Sequence, residues 1–341
     1  MRTIEKAPDR FVVGGVPRYG LFDAPVRDPN VLDAAFAPGP LRRVRLKDWQ
    51  HWAIVHPDVY VSIAVVDAAF MTASWVFVFD RRTGKSIEHA RKLPLSRVHK
   101  VGTIRDGLFG LDAGGYRIQV VCGVDRGEHR IAFDLVATKT LPRVRGEVAV
   151  AEDLAVVQPL VSAMPFSPNR PFYSHKCPGP ASGWLEVGGE RHEYDAARDV
   201  GILDEHKAFY PRKTWWKWAT FAGIDAAGTL FGANLTQNLI PDAVGNENAV
   251  WLGNSLNPLG AAQFDIPAGD GDPWRIRTID GLVDLEFRPQ GMRQERMALG
   301  IAESFYRQPV GTYHGFLTAT EGRRIDVDGT FGVAEDHRVT W

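Results

Sequence analysis

One pattern occurs twice in this chain, and it constrains the fold more than any other feature. Lys47-Asp48-Trp49-Gln50-His51-Trp52-Ala53 and Lys213-Thr214-Trp215-Trp216-Lys217-Trp218-Ala219 both read K-x-W-x-x-W-A. A second pair agrees, since Gly201 to His206 and Gly332 to His337 each read glycine, aliphatic, any residue, acid, acid, histidine. Gly183 to Leu185 and Gly315 to Leu317 add a matching Gly-x-Leu ahead of each. Two copies of one domain, arranged in tandem, produce this order. The expected division is an N-terminal domain over 1–206 and a C-terminal domain over 207–341.

The 341 residues suffice for two such domains, each with its own core. The formal charge of −1 comes from interspersed acids and bases, so no broad basic field exists for nucleic acid. Arg42, Arg43, Arg45 and Lys47 form the longest basic cluster, and their spacing reads as the solvated face of a strand. The two cysteines, Cys122 and Cys177, make no disulfide framework, and no C-x-x-C is present. Met1 to Arg10 lacks the apolar core of a signal peptide, and no run approaches the roughly 18 apolar residues of a membrane span. A cytoplasmic protein without a membrane span is expected.

Short runs rich in Val, Ile, Phe, Tyr and Trp alternate with Gly, Asp, Asn and Pro turns along the chain. The clearest strands are 59–66, 74–79, 116–121, 130–135, 229–235, 282–287 and 313–318, which predicts an all-β protein of barrels or sandwiches with little helix. On a strand, Thr214, Trp216 and Trp218 share one face. Trp49 and Trp52 are three apart and cannot share one, so a bulge or bend is expected there. Aligned on the motif, Trp216 has no tryptophan counterpart, its place being taken by Gln50. The first half is also the longer, and the proline-rich stretch from Pro159 to Pro180 is expected to be an irregular bridge or an added hairpin.

With these residues in view, the chain resembles the DUF2804 family, a bacterial family of unknown function. The likeness is carried by Lys47-x-Trp49, Tyr173-x-x-Lys176-Cys177-Pro178 through Gly183, and Asp204 through Tyr210-Pro211-Arg212-x-x-Trp215-x-x-Trp218. Gly232-x-Asn234, Glu247-Asn248, Pro273-Trp274, Asp284-Leu285-x-Phe287 and Gly332 to Glu335 with Trp341 extend it. That family is distantly similar to two-domain lipocalin-like proteins, including carotenoid hydratases, AttH-type proteins and natural-product cyclases. The resemblance implies a tandem pair of calycin-type antiparallel β-barrels with an apolar pocket. It implies no single reaction and supplies no catalytic residues.

Candidate chemistry therefore comes from the residues. Asp204 and His206 flank Glu205 just before Tyr210 and the tryptophan strand; a carboxyl in an apolar wall, its pKa raised, can protonate an alkene or enol while a histidine moves the proton. Trp216, Trp218 and Tyr210 can stabilise developing positive charge. The same acid-acid-His at Glu335 to His337 argues for a structural salt bridge common to both copies. Tyr173, His175 and Lys176 lack counterparts in the second half and can supply acid, base or hydrogen-bond donor, with Tyr173, His175 and Cys177 on one face. Asn234, Thr236, Asn238, Glu247 and Asn248 form a polar cluster, read either as a solvated loop tip or as a grip on a polar ligand end.

The catalytic candidates are thus Asp204, His206, His175 and Tyr173, and the substrate-binding candidates Trp216, Trp218, Tyr210, Lys176, Asn234, Glu247 and Asn248. No P-loop, G-x-S-x-G or H-E-x-x-H is present, and the ten histidines are scattered without ligand spacing, so no metal and no cofactor are expected. These features predict a cofactor-independent enzyme of hydratase, isomerase or cyclase type acting on a lipophilic small molecule. The alternatives are a non-catalytic carrier of a hydrophobic ligand and a two-carboxylate glycoside hydrolase.

Overall fold

The computed structural model describes residues 2–298, 303–319 and 321–340. The fold is the expected tandem pair of lipocalin-like antiparallel β-barrels, each a single curled sheet. The first sheet runs Lys85–Pro94, Met71–Asp80, Val59–Asp67, Lys47–Val55, Val200–Ala208, Arg170–Val187, Val144–Ala151, Glu128–Leu135, Tyr116–Cys122, Gly107–Asp112 and His99–Gly102. The second runs Ser255–Pro258, Ala249–Leu252, Leu230–Asn238, Lys213–Ile224, Arg324–Thr340, Glu303–Thr318, Val283–Ala298, Trp274–Thr278 and Ala262–Asp265. In both sheets the tryptophan-motif strand lies beside the acid-acid-His strand. All the strands read from the sequence fall within these to one residue.

Alternation along the strands builds two kinds of core. Trp52, Ile54 and Leu203 point into the first barrel with Val61, Ile63, Phe109 and Ile131. Their neighbours Ala53, Val55 and Ile202 point the other way and pack on Trp218, Ala222, Val310, Phe331 and Val333 of the second sheet. The barrels are therefore joined through their outer faces, and each large apolar side chain buried at that seam contributes roughly 1.5–3 kcal/mol. Phe221, Phe231, Trp274, Phe287 and Tyr313 fill the second barrel.

The repeated Gly-x-Leu has a steric cause. Gly183 and Gly315 have φ of +117° and +132°, and a Cβ on either would collide with the carbonyl of the adjoining strand, at Glu147 and Asp284 respectively. Only glycine fits so close an approach in that conformation.

Three local expectations change. No bulge separates Trp49 from Trp52, because the Lys47–Val55 strand keeps unbroken register with both neighbours; the two indoles simply take opposite faces. The Pro159–Pro180 stretch takes the second of its two expected forms, a hairpin in place of an irregular bridge: Leu160–Ser167 and Arg170–Val187 pair antiparallel, and the first strand also pairs with Gly20–Phe22. Arg42, Arg43 and Arg45 lie on a helix, Gly39–Arg45, with proline in its first turn, where a fixed φ favours helix initiation. Lys47 is not solvated either. Its buried ammonium donates to the Ala68 carbonyl at 3.0 Å.

Candidate functional site

Register reveals a relationship that letter alignment hides. His206 pairs with Trp49 and Asp204 with His51, while His337 pairs with Trp216 and Glu335 with Trp218. Measured from the acid-acid-His strand, Trp216 is thus the counterpart of Trp49, and Trp218 of His51. The tryptophan motif is offset by one residue between the copies, and a one-residue offset in a strand exchanges its faces. Trp216 therefore does have a tryptophan counterpart. The two indoles stack with ring centroids 6.2 Å apart.

Trp49 and Trp216 stand in a cleft of about 180 Å³ between the sheets, whose lining includes Asp204, His206, Lys176 and Tyr210 from one side and Glu335, His337, Gln308 and Tyr306 from the other. Phe166, Phe172, Trp75 and Trp218 add aromatic wall. Trp49 stacks on His206 at 4.6 Å and on Tyr210 at 5.4 Å. The cavity is sized for a compact ring system, and its walls are the faces of rings.

The two acids of the pair are held in opposite states. Burial pushes the Asp204 carboxyl up, but His206 and Lys176 outweigh it and hold it well below the ordinary carboxylate range. Lys176 Nζ bonds directly to Asp204, and His206 Nε2 lies 2.8 Å from the same oxygen. Tyr210 Oη meets the other ring nitrogen of His206 at 3.0 Å. Asp204 is an anion in a hydrogen-bonded ion pair, contrary to the raised pKa expected for it.

Glu335 carries the raised value. Burial pushes its carboxyl up to about 7, Asp204 adds to the rise, and only neutral donors oppose it: Trp216, Gln308 and Tyr306. Trp216 Nε1 donates to Oε1 at 2.6 Å and Gln308 Nε2 to Oε2 at 2.7 Å. The copies differ in two partners: His206 bonds to Asp204 whereas His337 turns to Ser304, and the side chain on the adjoining strand is exchanged. Lys176 sits opposite Asp204 in register, and Gln308, next to the Arg307 that pairs with Asp336, takes the corresponding place beside Glu335. A cation on one side is an amide on the other. His337, pushed down to about 3 by burial and then by Arg293, is neutral and bonded to Ser304 at 2.9 Å.

Of the remaining sequence candidates, Trp218 and Glu247 also line the cleft. The Glu247 carboxylate lies 3.6 Å from Lys176 Nζ. Tyr173 and His175 do not line it, because they alternate with Phe172 and Lys176 and face away. Tyr173 Oη accepts from Val26 N–H at 3.0 Å, and His175 bonds to Glu152, itself bonded to His129, within the first barrel. Asn234 and Asn248 are wholly buried scaffold, not a solvated tip. Asn234 accepts from Trp218 Nε1 at 2.7 Å, and Asn248 accepts from Thr236 N–H at 2.6 Å. The sequence reading missed Trp49, Gln308 and Tyr306 and assigned Glu335 and His337 to structure; aligning the halves on the acid-acid-His strand was the signal that finds them.

Folding brings together one group with metal-ligand chemistry among the described residues. Ligand atoms of His56, Asp58 and His192 lie within 4.8 Å of one another, beyond reach of the sequence spacing. His56 Nδ1 already accepts the Asp58 backbone N–H at 3.1 Å, which leaves its neutral ring proton on Nε2, so the group is committed to a turn.

Fold and cleft together describe a protein of two curled antiparallel β-sheets with a cleft between them that pairs two buried carboxyls. The chain belongs to the family described as a domain of unknown function, DUF2804, whose model matches residues 14–341. No curated protein matches it in sequence. Among solved structures, kievitone hydratase from Nectria haematococca aligns over 86% of this chain and 88% of its own, with 10% identity and a TM-score of 0.48. A protein assigned as AttH from Nitrosomonas europaea aligns over 87% and 92%, with 12% identity and a TM-score of 0.45.

Proposed function

We propose that the cleft is the active site of an acid–base enzyme that protonates a carbon–carbon double bond or enol of a lipophilic small molecule, needing no cofactor. The supporting observation is the divergence of two neighbouring carboxyls, Glu335 held up to about 7 and Asp204 held ionised. Such a divergence separates acid from charge-stabilising partner.

In the reaction, the π pair of the substrate takes the Glu335 proton and forms a new C–H bond. Positive charge develops on the adjacent carbon, where the ring faces of Trp49, Tyr210 and Trp216 and the Asp204 carboxylate stabilise it. Capture by water completes a hydration and returns a proton to the Glu335 carboxylate. Loss of a different C–H proton to that carboxylate completes an isomerisation instead.

The test is isotopic. A panel of lipophilic alkenes and enols, incubated with the protein in D₂O and read by mass spectrometry, gains deuterium with the wild type and loses about 10²–10⁴-fold of that rate with Glu335→Gln. A ligand that binds the wild type tightly and returns without deuterium makes this a carrier and overturns the proposal.

A further inference from the structure

The two sheets end together at the mouth of the cleft. In the first, Lys47 pairs with Ala208, Asp48 with Asp67 and Met71 with Pro94, which places the start of the Lys47–Val55 strand, the Ala68–Phe70 turn and Leu95 at one end. Leu95 N–H donates to the Phe70 carbonyl at 2.9 Å. In the second, Lys213 and Glu303 both pair with Thr340. Phe70, Met71, Thr214, Trp215 and Thr340 line the cleft. The shared end is therefore its rim.

The helix Gly39–Arg45 is tied to this rim. Arg45 donates to the Tyr210 carbonyl at 3.1 Å, and Lys47 Nζ reaches the Val44 carbonyl at 3.3 Å and lies 5.1 Å from the Phe70 ring centre. Yet the helix buries none of its own residues. Leu41 is 49% exposed, Val44 53%, Phe70 41%, Leu95 64% and Trp215 36%. Single exposed apolar side chains are ordinary, but five of them gathered on the rim of an aromatic cleft, two of them on a helix held through the polar contacts of Arg42 and Arg45, form a surface. Arg43, Arg97 and Lys213 stand exposed around it, against Glu303. With a formal charge of only −1 for the whole chain, this cationic border is a local feature.

We propose that the rim docks on an anionic lipid bilayer, with Leu41, Val44, Phe70 and Leu95 entering the acyl boundary and Arg43, Arg97 and Lys213 meeting lipid phosphates. The charge complementarity selects a membrane over a neutral apolar partner. Docked this way, the cleft opens onto the phase that holds a water-insoluble substrate. The proposal rests on the reading of the cleft as a site for a lipophilic molecule, but its test does not require turnover.

The full chain is floated with vesicles of phosphatidylcholine alone and of phosphatidylcholine mixed with phosphatidylglycerol, at low and high salt. Wild type floats with the mixed vesicles, less so at high salt, and Leu41→Asp with Val44→Asp weakens this at least about tenfold while melting temperature stays unchanged, both side chains being about half exposed. Arg43→Glu weakens it and flattens the salt dependence. No flotation of the wild type with mixed vesicles overturns the proposal, as does flotation that survives Leu41→Asp with Val44→Asp. Sedimentation showing a dimer that the same double variant dissociates assigns the surface to a second copy, and overturns it too. Flotation without deuterium uptake in solution upholds the docking surface while sinking the acid–base reading; the converse result sinks the docking surface alone.

Discussion

Trp216 donates its indole N–H to Glu335 Oε1 at 2.6 Å, which attaches an optical reporter to the carboxyl pushed up to about 7. Ionisation of Glu335 turns a neutral acceptor into a charged one and strengthens that bond. The fluorescence of Trp216 is therefore expected to titrate with a midpoint near 7. The difference spectrum between wild type and Trp216→Phe isolates it from the other nine tryptophans. Glu335→Gln must abolish the transition; if it persists in that variant, the carboxyl responsible lies elsewhere.

The same carboxyl tilts stability against pH. Its value rises from 4.5 unfolded to about 7 folded, so between those limits the native state holds one proton more than the unfolded state. Stability is full below pH 4.5, falls as pH rises, and levels off above 7. At 1.36 kcal/mol per unit the loss totals about 3 kcal/mol. Urea titrations across this range should show the slope in wild type and its absence in Glu335→Gln, with the variant the more stable at pH 8.

Asp204 works in the reverse sense, since its charge is what Lys176 and His206 require. Asp204→Asn takes the nearest carboxylate from the buried Lys176 ammonium and leaves it Glu247 at 3.6 Å, at an expected cost of about 3 kcal/mol. Lys176→Met with Asp204→Asn removes both charges and should recover a large part of that loss. Double-mutant analysis by urea unfolding measures the coupling, and additive costs would show that the pair contributes nothing.

The fold was legible because glycine, turn residues and β-branched runs act locally, and because Gly183 and Gly315 answer to one steric demand in both copies. The site was legible only by half. Asp204, His206 and Tyr210 follow one another at even spacing, which alternation places on a shared face, and Lys176 comes opposite Asp204 by register from the preceding long strand. Trp49, as the counterpart of Trp216, was hidden because a motif match counts letters, whereas a strand counts register, and the two differ by one residue. The charge states were hidden for another reason. Asp204 and Glu335 occupy equivalent positions, and what separates them is the histidine two residues on, turned to Asp204 in one copy and to Ser304 in the other, together with a neighbour on the adjoining strand, Lys176 or Gln308, that the acidic motif itself does not contain.

His175 belongs to a different balance. With His129 it holds the buried Glu152 carboxyl down to about 2 against burial, and its own value is raised in return. Glu152 contributes fully above its unfolded 4.5, and that contribution drains as pH falls toward about 2. His175→Ala should cost about 3 kcal/mol or more at neutral pH, flatten the fall of stability below pH 4.5, and leave the tryptophan transition near pH 7 in place. Loss of that transition in a folded His175→Ala protein would connect the first barrel's interior to the cleft.

The exchange of one side chain between the copies tests the whole arrangement. Gln308→Lys puts an ammonium beside Glu335 as Lys176 stands beside Asp204, and an opposite charge at that range lowers a carboxyl by about one to three units. The Trp216 transition should then move from near 7 toward 5, deuterium transfer should fail at neutral pH, and the stability slope above pH 5 should vanish. The reciprocal Lys176→Gln takes the ammonium away from Asp204 and should raise its pKa. Both measurements use the wild-type assays unchanged. If Gln308→Lys folds and the transition stays near 7, the amide does not set the acidity of Glu335, and the division of labour between the two carboxyls has another cause.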